Sequence, residues 1–309
     1  MALLFISKSD DPDAWRAMLG EALPDLEVRI WPDAGDPAEI EFALAWKPKP
    51  GLLAGFPKLK LIQSLGMGVD HIFGDPGLPA GVPVARLVDP DMVRQMSEYA
   101  IFAALRHHRR MDAYDASQRA GRWASAGLRD TPEVRAGVLG LGAIGSDTAA
   151  KLAMLGFQVA GWSRTEKALD GIESFHGEAG FLPFLARSDI LVCLLPLTRA
   201  THGILDAAAF AALPEGAFVI NLARGGHLVE ADLLAAIERG HVAGATLDVF
   251  ETEPLPAGHP FWDHPKVHVT PHVAGLTNPR TSAAQVVENI RRVRAGQPPL
   301  NLVDAARGY

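Results

Sequence analysis

The chain has 309 residues, the size of two domains at about 150 residues each. Hydrophobic residues are 48% and charged residues 21%, with 30 Gly and 23 Pro, a globular balance that excludes wholesale disorder and low complexity. The 29 Lys and Arg against 36 Asp and Glu leave a formal charge of −7, without the global positive field of a nucleic-acid binder.

The N-terminal run Ala2 to Ile6 is apolar, with no basic residues before it and Lys8 close behind. It reads as a first strand, not a signal core. Leu26 to Ile30, Ala43 to Trp46 and Leu59 to Ser64 are further strand candidates, punctuated by Pro32, Pro37, Pro48, Pro50 and Pro57. Asp13 to Leu23 has helical spacing between them. From Asp91 onward Met92, Met96, Tyr99, Ala100, Ala103 and Ala104 recur at helical spacing, a core-packing stripe on a long helix. The basic run Arg106 to Arg110 that follows reads as a solvated helix end.

Strand and helix then alternate. Ala136 to Leu139 predicts a strand, and Ile144 to Leu155 a helix ended by Gly156. Strands follow at Phe157 to Trp162 and Ile190 to Leu195, the second apolar throughout, as for a strand buried on both faces. Asp206 can cap a helix through Leu213. Then come a strand at Ala217 to Leu222, a helix at Ala231 to Arg239, and strands at Ala243 to Val249 and Val267 to Thr270. This alternation argues for a parallel sheet with helices on both faces. A last helix has Asn278 as cap, Pro279 at its first position and Gly296 at its close. The single cysteine, Cys193, lies in an apolar run and reads as a buried, inert thiol. No stretch approaches the roughly 18 apolar residues of a membrane span, so a soluble, cytoplasmic protein is expected.

Gly140-Leu141-Gly142-Ala143-Ile144-Gly145 is a GxGxxG that follows a strand and opens a helix. In that context the first Gly makes the tight turn, the second admits a pyrophosphate, and the third lets helix and strand pack closely. The helix N-terminus adds free N–H donors for the phosphates. An acid for the ribose 2′-hydroxyl of NAD is usual about 20 residues further on. Here the strand instead ends Trp162-Ser163-Arg164-Thr165. An Arg and hydroxyls suit a 2′-phosphate, so NADP(H) is preferred, with NAD(H) left open by the nearby Glu166.

Three strand ends are polar. One runs into Arg224, one into Glu251-Thr252-Glu253, and one into Pro271-His272. In a parallel sheet these project from the edge that holds the glycine turn. The trio suits reduction of a 2-keto acid: a guanidinium grips the carboxylate and carbonyl, an imidazole delivers the proton, and a carboxylate orients the imidazole. His268 and His272 are four apart, but in a strand followed by Pro that spacing does not align metal ligands, and no metal is expected.

With these residues in view, the chain resembles the D-isomer-specific 2-hydroxyacid dehydrogenase family over nearly its whole length. The motifs occur in family order: Ser64-Leu65-Gly66-Met67-Gly68-Val69-Asp70, the glycine turn, Asn221 to Gly226, Leu247 to Pro254, and Thr270 to Gly275. The resemblance implies an α/β fold of two Rossmann-like parallel-sheet domains with an active-site cleft between them. A flavodoxin-like substrate domain would take residues 1–98 and 279–309, and a dinucleotide-binding domain residues 99–278. It implies that Arg224 binds substrate, Glu253 pairs with His272, and His272 is the acid/base. It further implies that the backbone of Leu65, Gly66, Met67 and Gly68 binds the substrate carboxylate, that Asp248 contacts the nicotinamide carboxamide, and that Pro196 lies over the cofactor. A homodimer through the cofactor domain is implied too, with the helix from Met92 and the Arg119 to Trp123 region at its interface.

Within the family the chain looks most like the short glyoxylate/hydroxypyruvate reductases, by its length, Ser163-Arg164 and Trp46-Lys47-Pro48. In that branch a Trp at the place of Trp46 lines the substrate pocket. Two other readings stay open. One is a dehydrogenase/reductase for another, bulkier D-2-hydroxy acid, and the other is a non-catalytic protein that senses dinucleotides.

Overall fold

The computed structural model describes residues 1–305 and 307–309. It divides into two compact units, residues 1–92 with 276–309, and residues 93–275.

The first unit begins with β1 (Ala2–Ile6), α1 (Pro12–Ala22), β2 (Glu27–Ile30), β3 (Ile40–Ala45), β4 (Leu61–Ser64), α2 (Asp70–Phe73) and β5 (Val84–Ala85). The strands are all parallel, in the order β2-β1-β3-β4-β5, which is a flavodoxin-like order. Every residue of β1 is buried, as a central parallel strand covered on both faces requires. Leu3 and Phe5 face a cluster with Trp15 and Leu19 of α1, while Leu4 and Ile6 face one with Leu53, Phe56 and Ile72. The Asp11 carboxylate caps α1 by accepting the amides of Asp13 and Ala14.

The chain continues through α3 (Pro90–His108), α4 (Met111–Arg119), β6 (Arg135–Leu139), α5 (Ala143–Met154), β7 (Gln158–Ser163), β8 (Glu173–His176) and α6 (Phe181–Ala186). Next come β9 (Ile190–Cys193), α7 (Ala207–Ala212), β10 (Ala217–Asn221), α8 (Glu230–Glu238), β11 (Val242–Leu247) and β12 (Val267–Val269). The seven strands are parallel in the order β12-β11-β10-β9-β6-β7-β8. Counted from β6 this is 3-2-1-4-5-6-7, the doubly wound dinucleotide-binding order with one strand added. The order reverses between β6 and β9, where such folds place their ligand. Finally α9 (Pro279–Arg294) returns to the first unit, capped by Asn278 accepting the Arg280 amide. Its Ala283, Val286, Val287 and Ile290 are buried in the cluster of Trp15 and Leu19.

The structure adds β8 and α6, which the sequence pattern does not show. β8 is an edge strand with no buried residue, so no apolar alternation marks it. The expectation for Arg106 to Arg110 is corrected. Only Arg109 and Arg110 are exposed. Arg106 pairs with Asp112 at 2.8 Å and Asp115 at 2.5 Å. The His107 ring stacks on Phe218 at 4.1 Å between centroids, and His108 is buried. This helix end lies over the start of β10, not in water, and burial holds the His107 pKa down at about 4. Cys193 is fully buried, and desolvation pushes its thiol up to about 12, which keeps it protonated and inert.

Candidate active site

Each glycine of the turn between β6 and α5 meets a different constraint. Gly140 has φ +98, and a Cβ there would come within 2.8 Å of the Leu194 carbonyl oxygen. A Cβ on Gly145 would lie 1.7 Å from the Gly140 carbonyl oxygen, so the first turn of α5 can pack against the end of β6 only with glycine. Gly142 is the opposite case: a Cβ would touch nothing within 4 Å, which leaves the backbone open to a ligand. Gly142 is also the N-cap of α5 and offers no side-chain cap, so the amides of Ala143, Ile144 and Gly145 begin the helix without one. An uncapped helix start behind an open glycine fits a pyrophosphate.

At the end of β7, Ser163 is buried and its hydroxyl donates to the Thr165 carbonyl at 2.7 Å. Its one proton therefore braces the turn. Arg164 and Thr165, by contrast, are exposed, which puts a guanidinium at the surface directly after Ser163. Pro196 lies three residues past β9, and its carbonyl accepts the Thr201 hydroxyl at 2.7 Å.

The polar edge forms from three adjacent strand ends. The register aligns Asn221 of β10 with Leu247 of β11, and Leu247 with Val269 of β12. Arg224, Glu253 and His272 follow those ends by three, six and three residues. Gly225 sets how closely two of these loops approach. A Cβ on it would lie 1.8 Å from the Phe250 carbonyl carbon and 2.2 Å from the Glu251 nitrogen. Asn221 ties down the Arg224 loop: its side-chain amide donates to the Arg224 carbonyl at 3.0 Å and its oxygen accepts the Ala223 amide at 3.2 Å. The Arg224 guanidinium is half-buried and donates to the Ala223 carbonyl at 2.7 Å.

His272 has φ +56, in the left-handed region that a non-glycine residue rarely adopts. Hydrogen bonds from its surroundings over-determine it. Its amide donates to the Asp248 carbonyl at 2.8 Å. The Asp248 carboxylate is 1% exposed and accepts the Thr270 hydroxyl and the amides of Val273 and Ala274. Nδ1 of His272 lies 2.9 and 3.1 Å from the two oxygens of Glu253. A carboxylate only accepts, so Nδ1 carries the proton on the side facing Glu253. Thr270 and Asn221 thus join the site. Neither was singled out in the sequence, although both lie in the strand-end motifs.

In the first unit, Trp46 follows β3 directly and packs against His71, with ring centroids 4.4 Å apart. A Cβ on Gly66 would meet the Trp46 ring at 2.7 Å. The Leu65 to Gly68 turn follows β4, where Ser64 Oγ donates to the Gly68 carbonyl and accepts the Gly66 amide. The Leu65 carbonyl accepts the Thr277 hydroxyl at 2.6 Å. Among the described residues there is no cluster of three or more His, Cys, Asp or Glu able to hold a metal ion. His268 engages Asp112 and His259 engages Glu230.

A dinucleotide turn and an Arg, Glu and His set on one sheet edge define the class: a nicotinamide-dependent oxidoreductase fold. The family model for the D-isomer specific 2-hydroxyacid dehydrogenase NAD-binding domain matches residues 101–274. Glyoxylate/hydroxypyruvate reductase A of Serratia proteamaculans (strain 568) is 44% identical over 314 residues, covering all of both chains. Among solved structures, a D-isomer specific 2-hydroxyacid dehydrogenase from Xanthobacter autotrophicus Py2 in complex with NADPH and MES is 50% identical. It superposes with a TM-score of 0.95 over 100% of this chain and 99% of that one. An NADPH-dependent glyoxylate/hydroxypyruvate reductase from Sinorhizobium meliloti in complex with NADP and sulfate is 39% identical, with a TM-score of 0.93 over all of both chains. The chain belongs to the D-isomer specific 2-hydroxyacid dehydrogenase family.

Proposed function

We propose that the protein reduces small 2-keto acids, glyoxylate and hydroxypyruvate foremost, with NADPH. The observation that carries this reading is the Glu253–His272 pair at 2.9 Å, on the sheet edge that also bears Arg224. Bound nicotinamide supplies the hydride to the carbonyl carbon. Arg224 holds the substrate carboxylate and polarises the carbonyl with its planar donor fork. His272 delivers the proton from Nε2 to the carbonyl oxygen. Glu253 holds the Nδ1–H side and orients the ring. The product is the 2-hydroxy acid. Two relatives named as glyoxylate/hydroxypyruvate reductases, each matched over its full length, support the substrate class.

Gly140, Gly142, Ala143, Ile144 and Gly145 take the pyrophosphate, Ser163, Arg164 and Thr165 the adenosine end, and Pro196 and Asp248 the nicotinamide side. Trp46 and the Leu65 to Gly68 backbone take the substrate. Residues 1–98 with 279–309 form the substrate domain and residues 99–278 the cofactor domain. The protein works in the cytoplasm as a homodimer through the cofactor domain. Exposed Phe102, Trp123 and Leu128 support that interface, since large apolar side chains left in water mark contact surfaces. The deciding experiment pairs NADPH or NADH with glyoxylate or hydroxypyruvate and follows nicotinamide absorbance. Turnover favouring NADPH and lost in His272→Ala is expected. Tight dinucleotide binding without turnover would overturn the reading.

A further inference from the structure

We propose that Tyr99 is a positioning residue for His272, acting through Thr270 and Asp248; this rests on the acid/base role of His272 proposed above. The phenol oxygen of Tyr99, on α3, lies 2.6 Å from Oγ1 of Thr270. That Oγ1 lies 2.6 Å from Oδ1 of Asp248. A threonine hydroxyl has a single proton. Asp248 takes it, so Thr270 must accept from Tyr99, and the phenol is the donor. The chain of donors therefore has one direction: Tyr99 to Thr270 to Asp248.

The far end of that chain is the turn that presents His272. Oδ1 of Asp248 also accepts the Val273 amide, and Oδ2 accepts the Ala274 amide, each at 2.9 Å. Thr270 lies two residues before His272 and Val273 one after. The Asp248 carboxylate thus grips both sides of a residue held in the left-handed region, φ +56. Such a conformation persists only while its surroundings enforce it. Without the Tyr99 proton, the Thr270 hydroxyl keeps an unmet acceptor in a partly buried place and is free to turn away from Asp248. The turn then samples more positions, and Nε2 is less often aimed at the carbonyl oxygen.

Packing alone does not require the phenol oxygen. The Tyr99 ring packs against the cluster of Ala100, Val138 and Leu222 and lies 6.3 Å from the Phe102 ring, and a phenylalanine would do the same. What the hydroxyl adds is the proton. Burial, the largest influence, and the Asp248 charge hold the Tyr99 pKa above its ordinary value, against the hydrogen bond to Thr270 that lowers it. The phenol keeps its proton through the neutral range.

The test is the kinetics of Tyr99→Phe, Thr270→Val, Thr270→Ser and the double variant Tyr99→Phe/Thr270→Val, with His272→Asn in parallel. Tyr99→Phe should lower kcat about tenfold. Its KM for NADPH should stay within about twofold of the parent, since a transition-state interaction is lost and uniform binding is kept. The solvent deuterium isotope effect on kcat should rise, because proton delivery becomes slower. The double variant should be no worse than Thr270→Val alone, because both remove one chain of hydrogen bonds. Thr270→Ser, which keeps the hydroxyl, should lose far less kcat than Thr270→Val. Parent kcat in Tyr99→Phe, or independent losses that multiply in the double variant, would overturn the proposal. If Tyr99→Phe does not fold, equal kcat in Thr270→Ser and Thr270→Val overturns it in the same way. Activity surviving in His272→Asn would instead sink the acid/base reading, and this inference with it. An inactive His272→Asn beside an unimpaired Tyr99→Phe sinks the positioning role alone.

Discussion

The Glu253 carboxylate lies 2.9 Å from Nδ1 of His272, and its other oxygen lies 3.1 Å away. Both oxygens are within reach of one ring nitrogen, so the imidazole is held in one tautomer and one orientation. The contact joins the loop after β11 to the loop after β12. A single carboxylate here sets the orientation of the imidazole.

Glu253→Gln keeps the shape of that contact and removes the charge. An amide offers one acceptor oxygen where the carboxylate offers two, so the ring is held less firmly. On the proton-delivery role proposed for His272, a ring held less firmly reaches the carbonyl oxygen less often. At neutral pH kcat should drop about 100-fold. Steady-state kinetics of the purified variant check this, and parent kcat in Glu253→Gln would remove Glu253 from the mechanism.

Gly225→Ala tests the close approach behind Arg224. An added Cβ would sit 1.8 Å from the Phe250 carbonyl carbon, and backbone cannot yield as a flexible side chain can. The expected destabilisation is about 3 kcal/mol, read from chemical denaturation. Part of the cost should appear as a lower kcat, because moving the loop moves the guanidinium. A variant with parent stability and kcat would show that the loops can separate freely.

Much of this site was legible in the sequence because its chemistry sits at strand ends, which periodic apolar runs announce. Ala217 to Leu222 marked β10, and Arg224 followed. The glycine turn was legible because only glycine meets the constraints at positions 140 and 145. Tyr99 was read as one more member of a helical stripe. Its ring does pack in the core, and nothing local reveals that its oxygen meets Thr270, 171 residues away. β8 was missed because an unburied edge strand carries no apolar signature. The basic run at Arg106 was misread because charge composition says nothing of the β10 residue, Phe218, over which His107 stacks.

His107 predicts a loss of stability in acid. Its pKa is held at about 4, below the ordinary imidazole value of about 6.5, chiefly by burial. The unfolded chain therefore binds a proton that the folded chain refuses between about pH 6.5 and 4. A group whose neutral form is favoured by folding contributes fully above this window and loses that contribution as pH falls through it. The loss attributable to His107 should be up to about 3 kcal/mol by pH 4. His107→Phe keeps a flat ring over Phe218 and cannot take the proton. Its denaturation midpoint should fall less than the parent's between pH 7 and 4.5. Parallel falls in the two proteins would place the acid sensitivity elsewhere.

Arg164 should decide the choice of cofactor. It stands exposed at the end of β7, where an acid would meet the ribose of NADH. Ser163 spends its proton on the Thr165 carbonyl, so it is poorly placed to donate to a phosphate as well. The guanidinium is then the group that distinguishes a 2′-phosphate from a 2′-hydroxyl. Arg164→Ala should raise KM for NADPH about tenfold, while KM for NADH stays near the parent value. Because the contact is exposed and ionic, the NADPH penalty in the parent should also grow with added salt, and the variant should be nearly insensitive to it. Ser163→Asp on the Arg164→Ala background should favour NADH further, since a carboxylate repels the phosphate and accepts from the hydroxyl. If both variants keep the parent preference for NADPH, the phosphate is held by groups other than the β7 turn.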